Sequence, residues 1–214
     1  MRYVTGDHYF TAEPATPGRE RHVEFRVDGR EYRLTTSAGV FSADRLDLGT
    51  SVLLHKAPLP DPATKGNLLD LGCGYGPIAA VLATTAPDAT VYAVDVNQRA
   101  LDLVRRNAAA HKLDIVATTP DGVPEQETFR QIWSNPPIRV GKSELHDLLA
   151  RWLPRLADDG VAWLVVSRNL GADSLQRWLT ERGWLVDRYA SQKGFRVLRV
   201  NRNTGDNVAI TPEN

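Results

Sequence analysis

Three groups of residues in this chain have the types and spacing to do chemistry. The first is Asp70-Leu71-Gly72-Cys73-Gly74-Tyr75-Gly76-Pro77, set between the apolar Leu68-Leu69 and a helix-like run carrying Ile78, Val81 and Leu82. A strand, a glycine turn and a helix start in that order let backbone approach a ligand closely, and the helix N-terminus offers N–H groups to polar or anionic atoms. A dinucleotide fingerprint requires Gly-x-Gly-x-x-Gly, and Pro77 occupies the position of its third glycine. No Lys-Ser/Thr pair follows, which excludes a Walker P-loop. The second group is Asp95, which closes the strand-like Thr90-Val91-Tyr92-Ala93-Val94 at the distance where doubly wound folds place a carboxylate for ribose hydroxyls. A carboxylate at a helix start near Asn97 is the alternative. The third is Asn135-Pro136-Pro137-Ile138. Consecutive prolines fix φ and push the preceding residue into extended geometry. The Asn135 side-chain oxygen and the Pro136 carbonyl can then face one point, where two acceptors bind both hydrogens of a planar amine. A merely structural Pro-Pro turn is the other reading.

Strand ends must hold these groups, and the chain offers a run of them. His22-Val23-Glu24-Phe25-Arg26-Val27 and Glu31-Tyr32-Arg33-Leu34-Thr35 alternate apolar and polar residues around Asp28-Gly29, a β-hairpin signal. A loop and short helix through Asp47–Leu54 and a Pro-rich connection, Pro58 to Pro62, lead to the Leu68-Leu69-Asp70-Leu71 strand. Strands and helices then alternate, as in a doubly wound parallel sheet. Asn97 is placed to cap a helix burying Ala100, Leu101, Val104 and Ala108; Leu113–Ala117 and Phe129–Ser134 are the next strands. Ser143 is placed to cap a helix whose apolar face carries Leu145, Leu148, Leu149, Trp152 and Leu153. Gly160–Val166 suits a strand buried on both faces, and Leu175, Trp178 and Leu179 mark a helix ended by Gly183. Trp184–Tyr189 and Phe195–Val200 are expected to close the sheet as an antiparallel pair. The division expected is an arm, hairpin and lead-in helix over 1–60, the main domain over 61–202 and a flexible tail over 203–214.

Composition narrows the function classes. A hydrophobic fraction of 42% suits a soluble globular protein, and no apolar run is long enough to span a bilayer. The first residues lack a signal peptide's apolar core, so a cytoplasmic location is expected. Cys73 is the single cysteine, which precludes an internal disulfide and a multi-thiolate metal site, and the five histidines show no metal-ligand spacing. No metal is expected. With 26 basic and 26 acidic residues the net charge is zero, which argues against strong non-specific nucleic-acid binding. A local basic patch over Arg182–Arg202 (Arg182, Arg188, Lys193, Arg196, Arg199 and Arg202) stands beside a second reading, the solvated outer face of two strands.

The glycine turn, Asp95 and the later Asn-Pro-Pro together resemble the class I S-adenosylmethionine-dependent methyltransferases, over roughly Leu68 to Val200. The fuller match adds Gly39-Val40-Phe41-Ser42, Asp47-Leu48-Gly49-Thr50 and Leu53-Leu54. It resembles the small-domain family related to bacterial ribosomal RNA guanine-N2 methyltransferases. That resemblance implies a Rossmann-like sheet of seven strands with an N-terminal β-hairpin extension, and S-adenosylmethionine as cofactor. It implies that Gly72, Cys73, Gly74 and Gly76 border the methionine portion, with Asp70 orienting its ammonium directly or through water. Asp95 would take the ribose hydroxyls, with Val96 beside it; Asp121-Gly122 either meets the adenine amine or is an ordinary turn. Asn135, Pro136 and Pro137 would be the catalytic loop, Asn135 also bordering the cofactor, as in enzymes that methylate adenine N6, guanine N2 or protein glutamine. Many adenine and glutamine members follow the prolines with an aromatic residue, whereas this chain has Ile138. Ile138, Phe41, Arg139 and Lys142 are the candidate acceptor contacts, the last two reading equally as a solvated loop. The activity implied is methylation of an exocyclic amine, foremost guanine N2 of ribosomal RNA. The alternatives are a protein glutamine, adenine N6 or small-molecule amine acceptor, or a non-catalytic RNA-binding protein that retains the cofactor. The partner expected is RNA, with no membrane; oligomeric state cannot be read from the sequence.

Overall fold

The computed structural model describes residues 20–37, 45–136 and 141–204. The chain opens with strands β1 (Glu20–Val27) and β2 (Arg30–Ser37), paired antiparallel with Val27 opposite Arg30. The two residues between them, Asp28 and Gly29, have φ of 48° and 74°. Both are left-handed, the condition for a two-residue turn that follows the twist of its strands. Helix α1 (Leu48–Lys56) follows, then β3 (Gly66–Leu71), α2 (Pro77–Thr85), β4 (Ala89–Val94), α3 (Gln98–His111) and β5 (Ile115–Thr118). The second half comprises β6 (Phe129–Ser134), α4 (Lys142–Trp152), β7 (Leu156–Ser167), α5 (Ala172–Glu181), β8 (Leu185–Gln192) and β9 (Phe195–Asn201).

Seven strands form one sheet in the order β5-β4-β3-β6-β7-β9-β8. Pairing is parallel from β5 to β7, and β9 returns antiparallel between β7 and β8. The fold is α/β, Rossmann-like, with the hairpin as a separate two-stranded sheet. Strand order reverses between β3 and β6, and such a switch point opens a crevice beyond the carboxyl ends of the strands.

Alternation along each strand sorts side chains into two cores. Leu68, Val91, Ala93, Trp133, Trp163 and Val165 join α1, α2, α3 and the hairpin's Val23, Val27, Tyr32 and Leu34 on one face. Leu69, Leu71, Ile132, Ala162, Leu164 and Val166 face α4 and α5 on the other. Asp70 therefore shares a face with Leu68 and lies beneath the start of α2. The hairpin and α1 are continuous with the first of these cores.

Local signals account for most boundaries. Pro77 begins α2, where its missing N–H costs nothing, and Asn97 caps α3 by accepting from the N–H groups of Arg99 and Ala100. One expectation needs correction. Helix α4 starts at Lys142 with Gly141 as its cap, so Ser143 lies inside the first turn. In the basic stretch at the C-terminal strands, four of the six cations lie beside three carboxylates. Arg188 and Arg196 meet Asp173, Arg199 meets Asp187 at 2.6 Å, and Arg202 lies 3.7 Å from Asp158. Arg182 stacks on Trp178. The reading as an outer strand face is the one the geometry supports. Among the described residues no helix is long and apolar enough to cross a membrane, and no group of three or more His, Cys, Asp or Glu side chains could hold a metal.

A buried polar side chain adds to the packing that attaches the hairpin. Asn107 of α3 accepts from the Thr35 N–H at 2.8 Å and donates to the carbonyls of Thr35 and Tyr75 at 2.9 and 3.0 Å. Tyr75 belongs to the glycine turn, so Asn107 joins β2 to that turn. Replacing Asn107 with Ala strands these backbone groups, with an expected cost of about 2–3 kcal/mol. Urea unfolding measures the loss, and amide exchange in β1 and β2 should accelerate more than in β3 or β7.

Candidate functional site

Three of the expected groups converge at the switch point. Strand β3 delivers the glycine turn, whose Gly72, Gly74 and Gly76 have φ of 75°, 55° and 87°. A side chain at any of these would be strained, so the turn depends on glycine. Its backbone is secured laterally: Gly72 and Cys73 both donate to the Val94 carbonyl, at 2.8 and 3.1 Å, and Gly76 donates to the Cys73 carbonyl at 2.9 Å. Asp95, at the end of β4, completes the seal. One carboxylate oxygen accepts from the Gly74 N–H at 2.9 Å and the other from the Asn97 N–H at 2.9 Å. Those two donors orient the buried carboxylate beside the turn. Val96, the next residue, is 46% exposed, an apolar side chain presented beside that carboxylate.

Asp70 is fully buried. Its Oδ2 accepts from the Ala79 N–H at 2.9 Å in the first turn of α2, while its Oδ1 has no partner among the described residues. Burial pushes the carboxyl up to about 8 from the ordinary 3.8, opposed by the Ala79 hydrogen bond and reinforced by the nearby charge of Asp95. Cys73 is buried too, its thiol raised well above the usual range by burial and by both carboxylates, which removes thiolate reactivity. Tyr75 is buried with its hydroxyl unpartnered, and burial together with the charge of Asp47 raises its pKa.

Strand β6 ends in Ser134, whose hydroxyl donates to the Leu71 carbonyl at 2.7 Å and ties the two sides of the switch point together. Asn135 follows. Its Nδ2 donates to Asp47 Oδ1 at 2.6 Å and to Thr50 Oγ1 at 3.0 Å. Asp47 also caps α1 by accepting from the Thr50 N–H at 3.0 Å. An ionised carboxylate only accepts, so the end of the Asn135 amide facing Asp47 is the NH₂. The oxygen is then left for another donor. Asp47, Thr50 and Phe195 were not assigned roles from the sequence. Asp47-Leu48-Gly49-Thr50 enters the sequence reading only as part of the family match, and Asp47 stands 88 residues from Asn135, so nothing local points to their contact.

The remaining expected residues have the following surroundings. Asp121 sits in a single 3₁₀ turn (Pro120–Gly122) and pairs with Arg151 of α4 at 2.8 Å, its side chain 90% exposed. Gly122 is there for space, since a Cβ would fall 2.1 Å from Thr118 Oγ1. Pro136 is buried at the end of β6. Lys142 is exposed at the start of α4, its Cε 3.9 Å from where a Cβ on Gly171 would stand, so it extends toward the α5 N-terminus. Phe41, Pro137, Ile138 and Arg139 lie outside the described residues.

Comparison with known proteins adds a family. The model of the methyltransferase small domain matches residues 31–199. The Bacillus subtilis protein YbxB, described as uncharacterized, is 30% identical over 200 residues, spanning 92% of this chain and 98% of its own. Ribosomal RNA small subunit methyltransferase C of Shewanella loihica is 34% identical over 145 residues, 65% of this chain. Only 41% of that relative's length is covered. Among solved structures, T. thermophilus RsmC, a 16S rRNA N2 G1207 methyltransferase in complex with AdoMet and guanosine, superposes with a TM-score of 0.74 at 25% identity. That match covers 88% of this chain and 52% of the other.

The buried Asp70 generates a pH prediction. Its folded pKa stands above the unfolded value, so between about pH 4 and 8 the folded protein keeps a proton that the unfolded chain releases. Stability therefore falls as pH rises through that window and levels off above it. An Asp70→Asn variant should lose this dependence, which amounts to at most about 1.4 kcal/mol per pH unit. Urea midpoints of both proteins from pH 5 to 9 provide the comparison, and parallel curves would refute the assignment.

Proposed function

The chain belongs to the methyltransferase small-domain family, and on that premise we propose that it methylates an exocyclic amine, guanine N2 of ribosomal RNA. Its cofactor is S-adenosylmethionine, which supplies, when bound, a methyl carbon made electrophilic by a sulfonium. The residues present fit that group. Asp70 Oδ1 is a buried oxygen without a partner among the described residues, where an ammonium brought near would bring the raised carboxyl pKa back down. Asp95 is oriented for a vicinal diol by its two backbone donors, and Val96 offers an apolar flank to an aromatic base.

The observation that carries the choice of an amine is the orientation of Asn135. With Nδ2 committed to Asp47 and Thr50, its Oδ1 is the group left to receive a proton donor. An exocyclic amine is a weak nucleophile because its lone pair is delocalised into the ring. An acceptor at its N–H favours the positive charge that develops as the lone pair is recruited, and fixes the nitrogen for in-line approach. Asn135 does both without taking the proton, which can leave after the methyl has moved. Guanine is favoured as acceptor by the relatives named for ribosomal RNA methylation and by the RsmC complex with guanosine.

The test is transfer of label from S-adenosylmethionine into total RNA and total protein from cells lacking the gene, followed by digestion. N2-methylguanosine is the expected product; label in protein alone would replace guanine with glutamine. Asn135→Ala should keep cofactor affinity within a few-fold while lowering turnover by about 10²–10³, the usual cost of losing one positioned group at a charge-developing centre. Unchanged turnover in that variant would remove Asn135 from the chemistry.

A further inference from the structure

We propose that the first turn of α1, Asp47-Leu48-Gly49-Thr50, is a positioning device for Asn135 and one wall of the acceptor site. This deepens the amine-methyltransferase reading and rests on it. Three observations converge. The Asn135 Nδ2 is held twice, by Asp47 Oδ1 at 2.6 Å and Thr50 Oγ1 at 3.0 Å. Asp47 is itself held in place, because the same Oδ1 caps α1 through the Thr50 N–H. Gly49 then keeps the approach open. A Cβ at Gly49 would lie 3.0 Å from Asp47 Oδ1, 3.0 Å from the Phe195 ring and 3.1 Å from Asn135 Oδ1. The missing side chain thus leaves uncovered the oxygen that the clamp has turned outward, with the Phe195 ring edge as the opposite boundary.

An asparagine amide rotates about its last side-chain bond, and the two ends differ little in size. Left alone it would present its NH₂ as readily as its oxygen, and an NH₂ repels an amine's hydrogens. The carboxylate breaks that symmetry: a charge-assisted bond to Asp47 is available to one end only. Asp47 touches neither cofactor nor reacting atoms in this account; it acts through Asn135.

Asp47→Ser separates this role from helix capping, since Ser caps well but is too short to reach Asn135. Turnover of total RNA from cells lacking the gene should drop about 30–100-fold, with KM and Kd for S-adenosylmethionine within about threefold. Asp47→Asn, which retains an acceptor oxygen, should recover most of that loss. Gly49→Ala should leave cofactor binding unchanged and reduce turnover by closing the approach. A second readout needs no methyl transfer. The Asn135 side-chain NH₂ resonances, assigned from the Asn135→Ala spectrum, should exchange slowly with solvent in the wild type and rapidly in Asp47→Ser. If Asp47→Ser folds poorly, Thr50→Val removes one of the two clamping bonds, with the same direction expected in both readouts. Wild-type exchange rates in Asp47→Ser, or in Thr50→Val where that variant replaces it, would overturn the clamp whatever the acceptor. Slow exchange in a wild type that methylates no RNA would keep the clamp and discard guanine.

Discussion

The Val94 carbonyl accepts from two consecutive N–H groups of the glycine turn, and the Asp95 carboxylate accepts from a third. Much of the site depends on this lateral junction between two strand ends. The three left-handed glycines have no side chains of their own to pack, and left to themselves would sample many conformations. Backbone donors locked onto the neighbouring strand remove that freedom without placing any side chain over the turn. The surface remains close to bare backbone and keeps a single shape.

From that junction the two carboxylates acquire different characters. Asp95 receives backbone donors on both oxygens, whereas Asp70 is buried beneath α2 with one oxygen satisfied. Burial favours the neutral acid at Asp70, and the charge of its neighbour adds to the effect. The hairpin is drawn into the same region by Asn107, which satisfies the Tyr75 carbonyl of the turn together with both backbone groups of Thr35. The hairpin packs on the α2 and α3 side, leaving α4 and α5 to cover the opposite face.

Across the switch point, β6 carries Asn135 to a place where α1 can reach it. Helix α1 packs on the same face as α2 and α3, against the core that contains Trp133, Trp163 and Val197. Its N-terminal turn meets the end of β6 there. The capping carboxylate of a helix is thereby also a hydrogen-bond acceptor for the residue expected to do the chemistry.

The sequence by itself determined the sheet class, the hairpin turn, the glycine turn and the strand ends that bear Asp95 and Asn135. Each of these is set by short-range physics: alternation of apolar residues, left-handed backbone, proline-restricted φ and a capping asparagine. Tertiary structure alone decided what the side chains at those ends do. Asp121 reads locally as a ligand or a turn residue, and only the fold brings Arg151 of α4 beside it. The arginines of β8 and β9 read equally as a patch or as a solvated strand face, and only the fold brings Asp173 and Asp158 beside them. The Asn135 amide has no preferred end in the sequence. Its direction is imposed by Asp47, distant along the chain, because hydrogen-bond donors and acceptors choose partners by proximity in space, which local patterning does not encode.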